Sequence, residues 1–381
     1  MALRGLRVLE MAGLAPVPFA GMVLADFGAS VIRIDRVQAQ SLDTLARGKR
    51  SASIDLQDER GRQIVKKLSN QADVLIDSYR PGVMEKMGLG PVQLLESNPR
   101  LIYARLTGYG QSGLFSQKAG HDINYLSIAG VLSMLGRKDE NPIAPINLLA
   151  DFGGGGLLCV VGILIGLLTR SKTGKGQVID SSMTEGASYL STFLRTSHQI
   201  GIWTGPRGTN VLDSGAPFYD TYRTLDGKFM AVGAIEPQFY KRFVSGLGLD
   251  NSRIPNQMDT SKWDDLKELF SKCFATKTQA EWVEAFKDVD ACVTPVLSMD
   301  EATTHPHNQD RSSFVHVDEE TVLPALAPRF SSFPGYKASG PLPEVGQHTR
   351  QVLLEVGYTE EEVDYLCQEN VIRQQTQKSR L

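Results

Sequence analysis

The chain has 381 residues, of which 41% are hydrophobic and 22% charged, and its formal net charge is −3. A chain of this length is expected to form two domains, and its composition is that of a globular protein with a large buried core. The small negative charge argues against a general affinity for nucleic acid or for anionic membranes. A small molecule is therefore the expected ligand.

The first half of the chain alternates predicted strands and helices. Residues 7–13 (RVLEMAG) and 30–36 (SVIRIDR) have the apolar pattern of buried strands, and residues 16–28 between them predict a helix that ends at Gly28. Further strands are predicted in SASIDL, ADVLID and RLIYARLT. This alternation predicts a parallel, doubly wound sheet.

Two phosphate-binding signatures are missing from this alternating region. The turn after the first strand, MAGLAPVP, has no G-x-G-x-x-G sequence, and no P-loop occurs in the chain. A nicotinamide-dependent dehydrogenase is therefore the least favoured of the enzyme classes considered.

Residues 152–169 contain no charged side chain, which raises the question of a membrane span. Four glycines open this stretch, and the continuously apolar part, 157–168, is too short to cross a bilayer. We therefore predict a buried core helix and no membrane span. Glu10 interrupts the first apolar run, so no secretory signal is expected either.

The second half of the chain has a different pattern. The LDG turn at 225–227 lies between two predicted strands and indicates a hairpin. Two capping boxes, Thr278-x-x-Glu281 and Thr359-x-x-Glu362, each predict the start of a helix. Residues 313–346 are rich in proline and predict an extended return connection.

These elements predict an α/β fold with two domains. Residues 1–195 are assigned to a large, Rossmann-like, doubly wound domain, and residues 215–308 to a smaller α+β domain. Residues 309–381 are expected to return and complete the large domain with helices.

Three segments carry candidate catalytic side chains. His121 and Asp122 are adjacent in AGHDINY, Asp151 precedes four glycines, and Glu236 ends an apolar strand just before Pro237. A carboxylate before a helix lies near free backbone N–H groups, where it either caps the helix or helps to form an anion site. A lone histidine is most often structural, and a glutamate at a helix start is often only solvated. None of the three segments decides the function alone.

Cysteine and histidine spacing gives no sign of a metal site. The four cysteines are far apart, without a CxxC pair, which indicates free thiols in a reducing compartment: Cys159, Cys273, Cys292 and Cys367. We expect no bound metal.

Long motifs in order along nearly the whole chain resemble the racemases of the family III CoA-transferase superfamily. They include GLAPVPFAGMVLADFGA, YRPGVMEKMGLGP, NPRLIYARLTGYGQSG, AGHDINYLSIAGVLS, NLLADFGGGG, GAPFYDTYRT and AVGAIEPQFY. The resemblance implies an interlocked homodimer that inverts the 2-methyl centre of branched acyl-CoA thioesters, R to S and back, through an enolate. It also implies a place in branched-chain fatty acid and bile acid metabolism. No cofactor is implied, because CoA is part of the substrate.

The resemblance assigns catalytic roles to His121, Asp151 and Glu236. His121, the base for the S-configured substrate, and Asp151 are the acid/base pair on opposite faces of the α-carbon, and Glu236 of one subunit positions the histidine of its partner. A base on one face and an acid on the other are what inversion at a carbon acid requires. Asp122 is expected either to fix the loop or to lie near the thioester oxygen.

The same resemblance assigns the CoA and substrate contacts. Two arginines, Arg36 and Arg80, are expected to bind phosphate, because the guanidinium fork can contact two oxygens at once. The other contacts that it implies are Ile54, Asp55, Leu56, Gln57, Gly120, Asp122, Ile123, Asn124 and Tyr125. Two positions depart from the family: Val17 replaces a glycine of the first turn, and Gln57 replaces a frequent lysine.

The last three residues, Ser379-Arg380-Leu381, resemble a peroxisomal address of the Ser-Lys-Leu type. Together with the family resemblance they predict recognition by the peroxisomal import receptor and location in the peroxisome, with the mitochondrion as a second compartment.

Two further functions remain open at this point. A CoA-transferase of the same superfamily uses the aspartate at the position of Asp151 as a nucleophile and forms an anhydride and then an enzyme-bound thioester. His121 argues against this reading, as does Glu236, which stands where a transferase has a glycine-rich lid. A non-catalytic acyl-CoA carrier is the other alternative, and it gives no reason for both His121 and Asp151.

Overall fold

The computed structural model describes residues 2–38, 43–317, 321–332 and 342–375. Ser379-Arg380-Leu381 lies outside these ranges, so the predicted targeting role stays a prediction. The described strands are β1 Arg7–Met11, β2 Ser30–Asp35, β3 Arg50–Ile54, β4 Val74–Asp77, β5 Ile102–Thr107, β6 Gln177–Ser182, β7 Tyr219–Arg223, β8 Phe229–Gly233, β9 Val293–Pro295, β10 Phe314–His316, β11 Val322–Pro324 and β12 Ile372–Arg373.

The described α-helices are α1 Pro16–Asp26, α2 Glu59–Ser69, α3 Val83–Lys86, α4 Pro91–Ser97, α5 Asp122–Ala129, α6 Leu158–Thr173, α7 Met183–Leu190, α8 Thr192–Ser197, α9 Pro237–Gly246, α10 Trp263–Phe274, α11 Gln279–Phe286, α12 Met299–Thr304, α13 Pro306–Asp310, α14 Thr349–Glu355 and α15 Glu360–Gln368. A π-helix, Leu148–Leu157, runs directly into α6. Short 3₁₀ turns are Leu132–Met134, His198–Ile200, Asn251–Arg253 and Thr260–Lys262. Both predicted capping boxes are confirmed, at the starts of α11 and α15.

The largest sheet has the order β12-β3-β2-β1-β4-β5-β6. Strands β1 to β6 are parallel, and β12 pairs antiparallel with β3 at the edge. Every residue of β4 and β5 is buried, as the continuous apolar runs predict. The predicted α/β fold with a parallel sheet is therefore confirmed. In such sheets ligands bind at the carboxyl ends of the strands, where the order reverses, here between β1 and β4.

Residues of the chain form two compact units. The first comprises Met1–Ala129, Ile146–Leu190 and Gln309–Leu381, and the second comprises Gly130–Pro145 and Ser191–Asn308. This division differs from the predicted boundaries, because residues 130–145 belong to the second unit. Contacts that join residues 130–145 to this unit include an ion pair, in which Arg137 donates to both carboxylate oxygens of Asp220 on β7 at 2.8 and 3.1 Å, and hydrogen bonds from Arg207 to the carbonyl oxygens of Ser133 and Arg137.

Each unit has its own hydrophobic core. In the first unit, side chains of the central strands pack with those of the C-terminal helices, among them Leu9, Leu75, Tyr103, Val352 and Val363. The C-terminal segment thus completes this core. In the second unit the β7-β8-β9 sheet packs on helices through a largely aromatic cluster that includes Phe218, Phe243, Phe270, Phe274 and Trp282.

The helix Leu148–Thr173 is the one described helix whose length and composition suit a membrane crossing, with a hydropathy of 2.1 and 39% of the apolar window buried. Core helices of water-soluble proteins meet the same criterion. Its outer face shows Val161, Leu164, Ile165 and Leu168, spaced as neighbours on one side of a helix. The prediction of a fully buried core helix is wrong for this face.

Candidate active site

A cavity of about 1290 Å³ lies at the carboxyl ends of β2, β3 and β4 in the first unit. Doubly wound sheets bind nucleotides at the carboxyl ends of their parallel strands, which is where this cavity lies. All six residues predicted to bind CoA on these strands line the cavity: Arg36, Ile54, Asp55, Leu56, Gln57 and Arg80. The parallel sheet brings them together because each group follows a strand that ends at the same edge.

The cavity contains two arginines, Arg36 and Arg80, and two carboxylates, Asp55 and Glu369. Arg36 lies beside Tyr79; burial raises the pKa of the Tyr79 hydroxyl, and the Arg36 charge opposes that rise. Arg80 donates to the carbonyl oxygen of Gln117 at 3.3 Å. The carboxylate of Asp55 accepts the backbone N–H of Gln57 at 2.8 Å, which fixes the turn after β3. Planar guanidinium groups at such a site suit phosphate oxygens.

Several lining residues were not predicted from the sequence: Leu14, Val37, Gln38, Ser78, Tyr79, Val83, Met87, Glu369 and Asn370. Residues 78–79 adjoin the YRPG motif and could have been included with Arg80. Glu369 and Asn370 follow α15 and reach the cavity because β12 pairs with β3. No local sequence signal identifies that long-range pairing.

His121 immediately precedes α5 and has an exposed side chain. Its backbone carbonyl oxygen accepts the N–H groups of Asn124 and Tyr125, at 2.8 and 3.2 Å, and its own N–H donates to Oδ1 of Asn124 at 3.1 Å. The backbone at the helix start is thus fully used in local hydrogen bonds. The imidazole ring remains exposed and accessible to a ligand.

Asp122 is buried, with 4% of its surface exposed. Its Oδ2 atom accepts the backbone N–H groups of Ala150 and Asp151, at 2.7 and 2.9 Å. These two hydrogen bonds agree with one of the two roles expected for Asp122, that of fixing the loop. The expectation that Asp122 lies near the thioester oxygen stays a prediction.

Asp151 lies within the first turn of the π-helix, which begins after Asn147. The interpretation of Asp151 as a helix N-cap is therefore wrong, because the helix starts three residues earlier than its side chain. Burial raises the pKa of the Asp151 carboxyl, the Asn147 side chain at 3.4 Å lowers it, the Asp122 charge raises it and the His121 charge lowers it. The net direction is upward. The His121 charge thus acts on the Asp151 carboxyl.

The glycines after Asp151 allow two helices to approach closely. A Cβ atom on Gly186 of α7 would lie 1.9 Å from the backbone oxygen of Gly154, and one on Gly154 would lie 2.6 Å from the backbone nitrogen of Ala187. Any larger residue would force the π-helix and α7 apart. The run therefore serves this packing, and the anion site that the sequence suggested for its N–H groups stays a prediction.

The remaining residues of GHDINY form a rigid turn. Tyr125 is buried, donates its hydroxyl to the carbonyl oxygen of Gly120 and packs edge-on against Tyr109, with ring centres 5.0 Å apart. Burial raises the pKa of Tyr125 to about 12, and the Asp151 charge acts in the same direction. Ile123 and Asn124 are exposed on the first turn of α5. Tyr125 is therefore neutral near pH 7.

Glu236 belongs to the second unit, where it immediately precedes α9. Its side chain is exposed and makes no capping hydrogen bond with the helix. The exposed position agrees with the reading of Glu236 as a solvated residue at a helix start. Its predicted action on the histidine of a partner subunit stays a prediction.

The first unit thus combines a doubly wound sheet with a large cavity at the carboxyl ends of its strands, and two arginines line that cavity. Comparison with known proteins gives the family: residues 3–349 match the model of CoA-transferase family III. The chain belongs to this family. It is 52% identical over 381 residues to "Alpha-methylacyl-CoA racemase" of Mus musculus and 51% identical over 382 residues to that of Homo sapiens, with 100% of each chain covered.

The fold has a solved counterpart. The crystal structure of a CAIB/BAIF family protein from Brucella suis superposes with a TM-score of 0.82 at 23% identity, covering 93% of this chain and 99% of that one. At this identity the likeness concerns the fold alone.

Proposed function

We propose that this protein catalyses the racemisation of 2-methylacyl-CoA thioesters, the activity for which its mouse and human relatives are named. The observation that carries the proposal is the link between the His121-Asp122 dipeptide and Asp151: Oδ2 of Asp122 accepts the backbone N–H of Asp151 at 2.9 Å, and the His121 charge lowers the pKa of the Asp151 carboxyl. Full-length identity above one half to the two racemases supports it.

The proposed mechanism uses the two residues in turn. One removes the α-proton of the thioester, the electron pair moves into the carbonyl to give an enolate, and the other returns a proton to the opposite face. Burial raises the pKa of Asp151, which brings this carboxyl closer to the working pH and makes it more effective as an acid and a base.

The cavity beside β2, β3 and β4 is the proposed site of the CoA moiety. Arg36 and Arg80 are the cations for its phosphates, and the rest of the cavity is lined by side chains from four strands and the C-terminal segment. Arg80 also acts electrostatically on Tyr125, the residue that packs under the His121 turn. A ligand bound through Arg80 is therefore expected to reach the His121 region.

A homodimer is part of the proposal. The outer face of α6 leaves Leu164, Ile165 and Leu168 between 41% and 61% exposed in the single chain. Contiguous apolar surface of this kind is characteristic of protein–protein contacts. Glu236 from a second copy would then be available to orient His121, as the family resemblance implies.

A CoA-transferase reaction is the second candidate, since the family model carries that description. Asp151 would then attack the thioester as a nucleophile. The presence of His121 favours proton transfer, because a nucleophilic attack by Asp151 needs no second acid/base group while inversion at the α-carbon does.

The test uses one pure enantiomer of a 2-methylacyl-CoA in deuterated water. We expect loss of optical purity together with deuterium gain at carbon 2. Retention of an optically pure, unexchanged substrate would contradict the racemase proposal. Transfer of CoA to an added free carboxylic acid, in the same assay, would support the transferase instead.

A further inference from the structure

Two segments far apart in sequence are joined next to the proposed acid/base pair. Oδ2 of Asp122 accepts the backbone N–H groups of Ala150 and Asp151, which are 28 and 29 residues away. One carboxylate oxygen thus holds the very residue that carries the proposed carboxyl base.

The π-helix needs such a partner. The first N–H groups of any helix have no acceptor within the helix. Asn147, the residue before this helix, has a left-handed backbone conformation with φ of 50° and makes no side-chain capping bond. Asp122 therefore supplies from α5 the acceptor that an N-cap residue normally supplies locally.

We propose that Asp122 is a positioning residue: it fixes the start of the π-helix relative to α5 and so sets Asp151 against His121. This inference rests on the proposed function. Because His121 and Asp122 are adjacent, the dipeptide provides one proton-transfer group and places the other. That arrangement gives a physical reason for the His-Asp pair in AGHDINY.

The charge of Asp122 adds an electrostatic effect to this geometric one. The Asp122 charge raises the pKa of Asp151, while the His121 charge and the Asn147 side chain lower it. Tyr125 also faces Asp151 and is neutral. Oδ1 of Asp122 is buried and has no hydrogen-bond partner among the described residues, so no neighbouring donor offsets the charge at that atom.

Two substitutions separate geometry from charge. Asp122→Asn keeps an oxygen that can accept both N–H groups but removes the charge. Asp122→Ala removes the acceptor and the charge together. Asp213→Ala is a matched control, because Asp213 also accepts backbone N–H groups, those of Gly208 and Asn210, but in the second unit.

We expect Asp122→Ala to lower kcat by about 100-fold with little change in KM, because a displacement near 1 Å has that effect on proton transfer. Asp122→Asn should recover most of that loss, and the acidic limb of its pH profile should move to lower pH, since the pKa of Asp151 falls. The Asp213→Ala control should keep kcat per folded molecule. Unchanged kcat in Asp122→Ala, or failure of Asp122→Asn to recover it, overturns the proposal.

Amide hydrogen exchange provides a readout that needs no turnover. The N–H groups of Ala150 and Asp151 should be protected in the wild type and in Asp122→Asn and exchange at least tenfold faster in Asp122→Ala. Equal protection in all three proteins contradicts the holding role. A wild type that does not exchange the substrate α-proton but shows these amide differences contradicts the proposed function alone.

Discussion

Nζ of Lys49 lies 2.7 Å from Oε2 of Glu10, and both side chains are completely buried. Lys49 also donates to the backbone oxygen of Pro18 at 2.8 Å. Burial raises the pKa of Glu10 to about 7, although Lys49 opposes the rise. This pair joins β1 to the segment before β3 inside the first unit.

Removal of only one member of this pair should be far more harmful than removal of both. Lys49→Met leaves the Glu10 carboxyl buried without its partner and is expected to lower the free energy of unfolding by about 3–5 kcal/mol. The double variant Glu10→Leu/Lys49→Met should recover most of that loss, as measured by urea unfolding. A double variant that is as unstable as the single one would contradict the account.

Asp77 at the end of β4 should make stability depend on pH. Burial raises the pKa of its carboxyl to about 6 from an ordinary value of 3.8, against the effects of the Tyr79 N–H and the Arg105 charge. The folded chain therefore favours protonated Asp77, and the stability that this preference contributes is fully present below pH 3.8 and lost as the pH rises through about 6.

The variant Asp77→Asn, which resembles the protonated form, tests this. The difference in free energy of unfolding between the variant and the wild type should increase in favour of the variant from pH 4 to pH 8, by up to about 3 kcal/mol. Urea unfolding at both pH values measures the gain. If Asp77→Asn and the wild type differ in stability by the same amount at pH 4 and pH 8, the pKa of Asp77 is the same in the folded and unfolded chain and the prediction is wrong.

Gln57 lines the cavity at the position where the family resemblance leads us to expect a lysine. Gln57→Lys adds a cation beside Arg36 and should tighten CoA binding about threefold to tenfold in low salt, with a smaller effect in high salt. Gln63→Lys on α2 makes the same charge change outside the cavity and should leave the Kd unchanged. Calorimetric titration with CoA measures both. Equal effects of the two variants would place the CoA phosphates elsewhere.

The outer face of α6 should be covered in solution. Ile165 is 58% exposed in the single chain, so Ile165→Asp is expected to reduce the mass seen by light scattering from that of a dimer to that of a monomer. Lys172→Asp, a charge change at the end of the same helix, is the control. A wild type that is monomeric at micromolar concentration would contradict the homodimer proposal.

Local patterns predicted the elements of the sheet domain well. Strands β1, β2, β4 and β5 and helix α1 follow apolar runs with clear ends, and Gly28 ends α1 with a positive φ of 100°. The LDG turn likewise gives the β7–β8 hairpin. Apolar runs and turn residues depend only on neighbouring positions in the chain, so they can be recognised from a single sequence.

Features that depend on distant contacts were missed. The π-helix begins at Leu148, ahead of the apolar run that the sequence showed, because Asp122 stabilises its first turn from α5. Residues 130–145 join the second unit through Arg137 and Asp220. Glu369 reaches the cavity only because β12 pairs with β3. No local pattern encodes these pairings.

The most direct test of the central claim separates the two proton-transfer groups. Each pure enantiomer of a 2-methylacyl-CoA is incubated in deuterated water with wild type, His121→Ala and Asp151→Ala. We expect wild type to exchange and invert both enantiomers. His121→Ala should exchange only the R substrate and Asp151→Ala only the S substrate, without inversion, because each variant keeps one base. Loss of exchange from both enantiomers in both variants, or normal inversion in either, would contradict a two-base racemase.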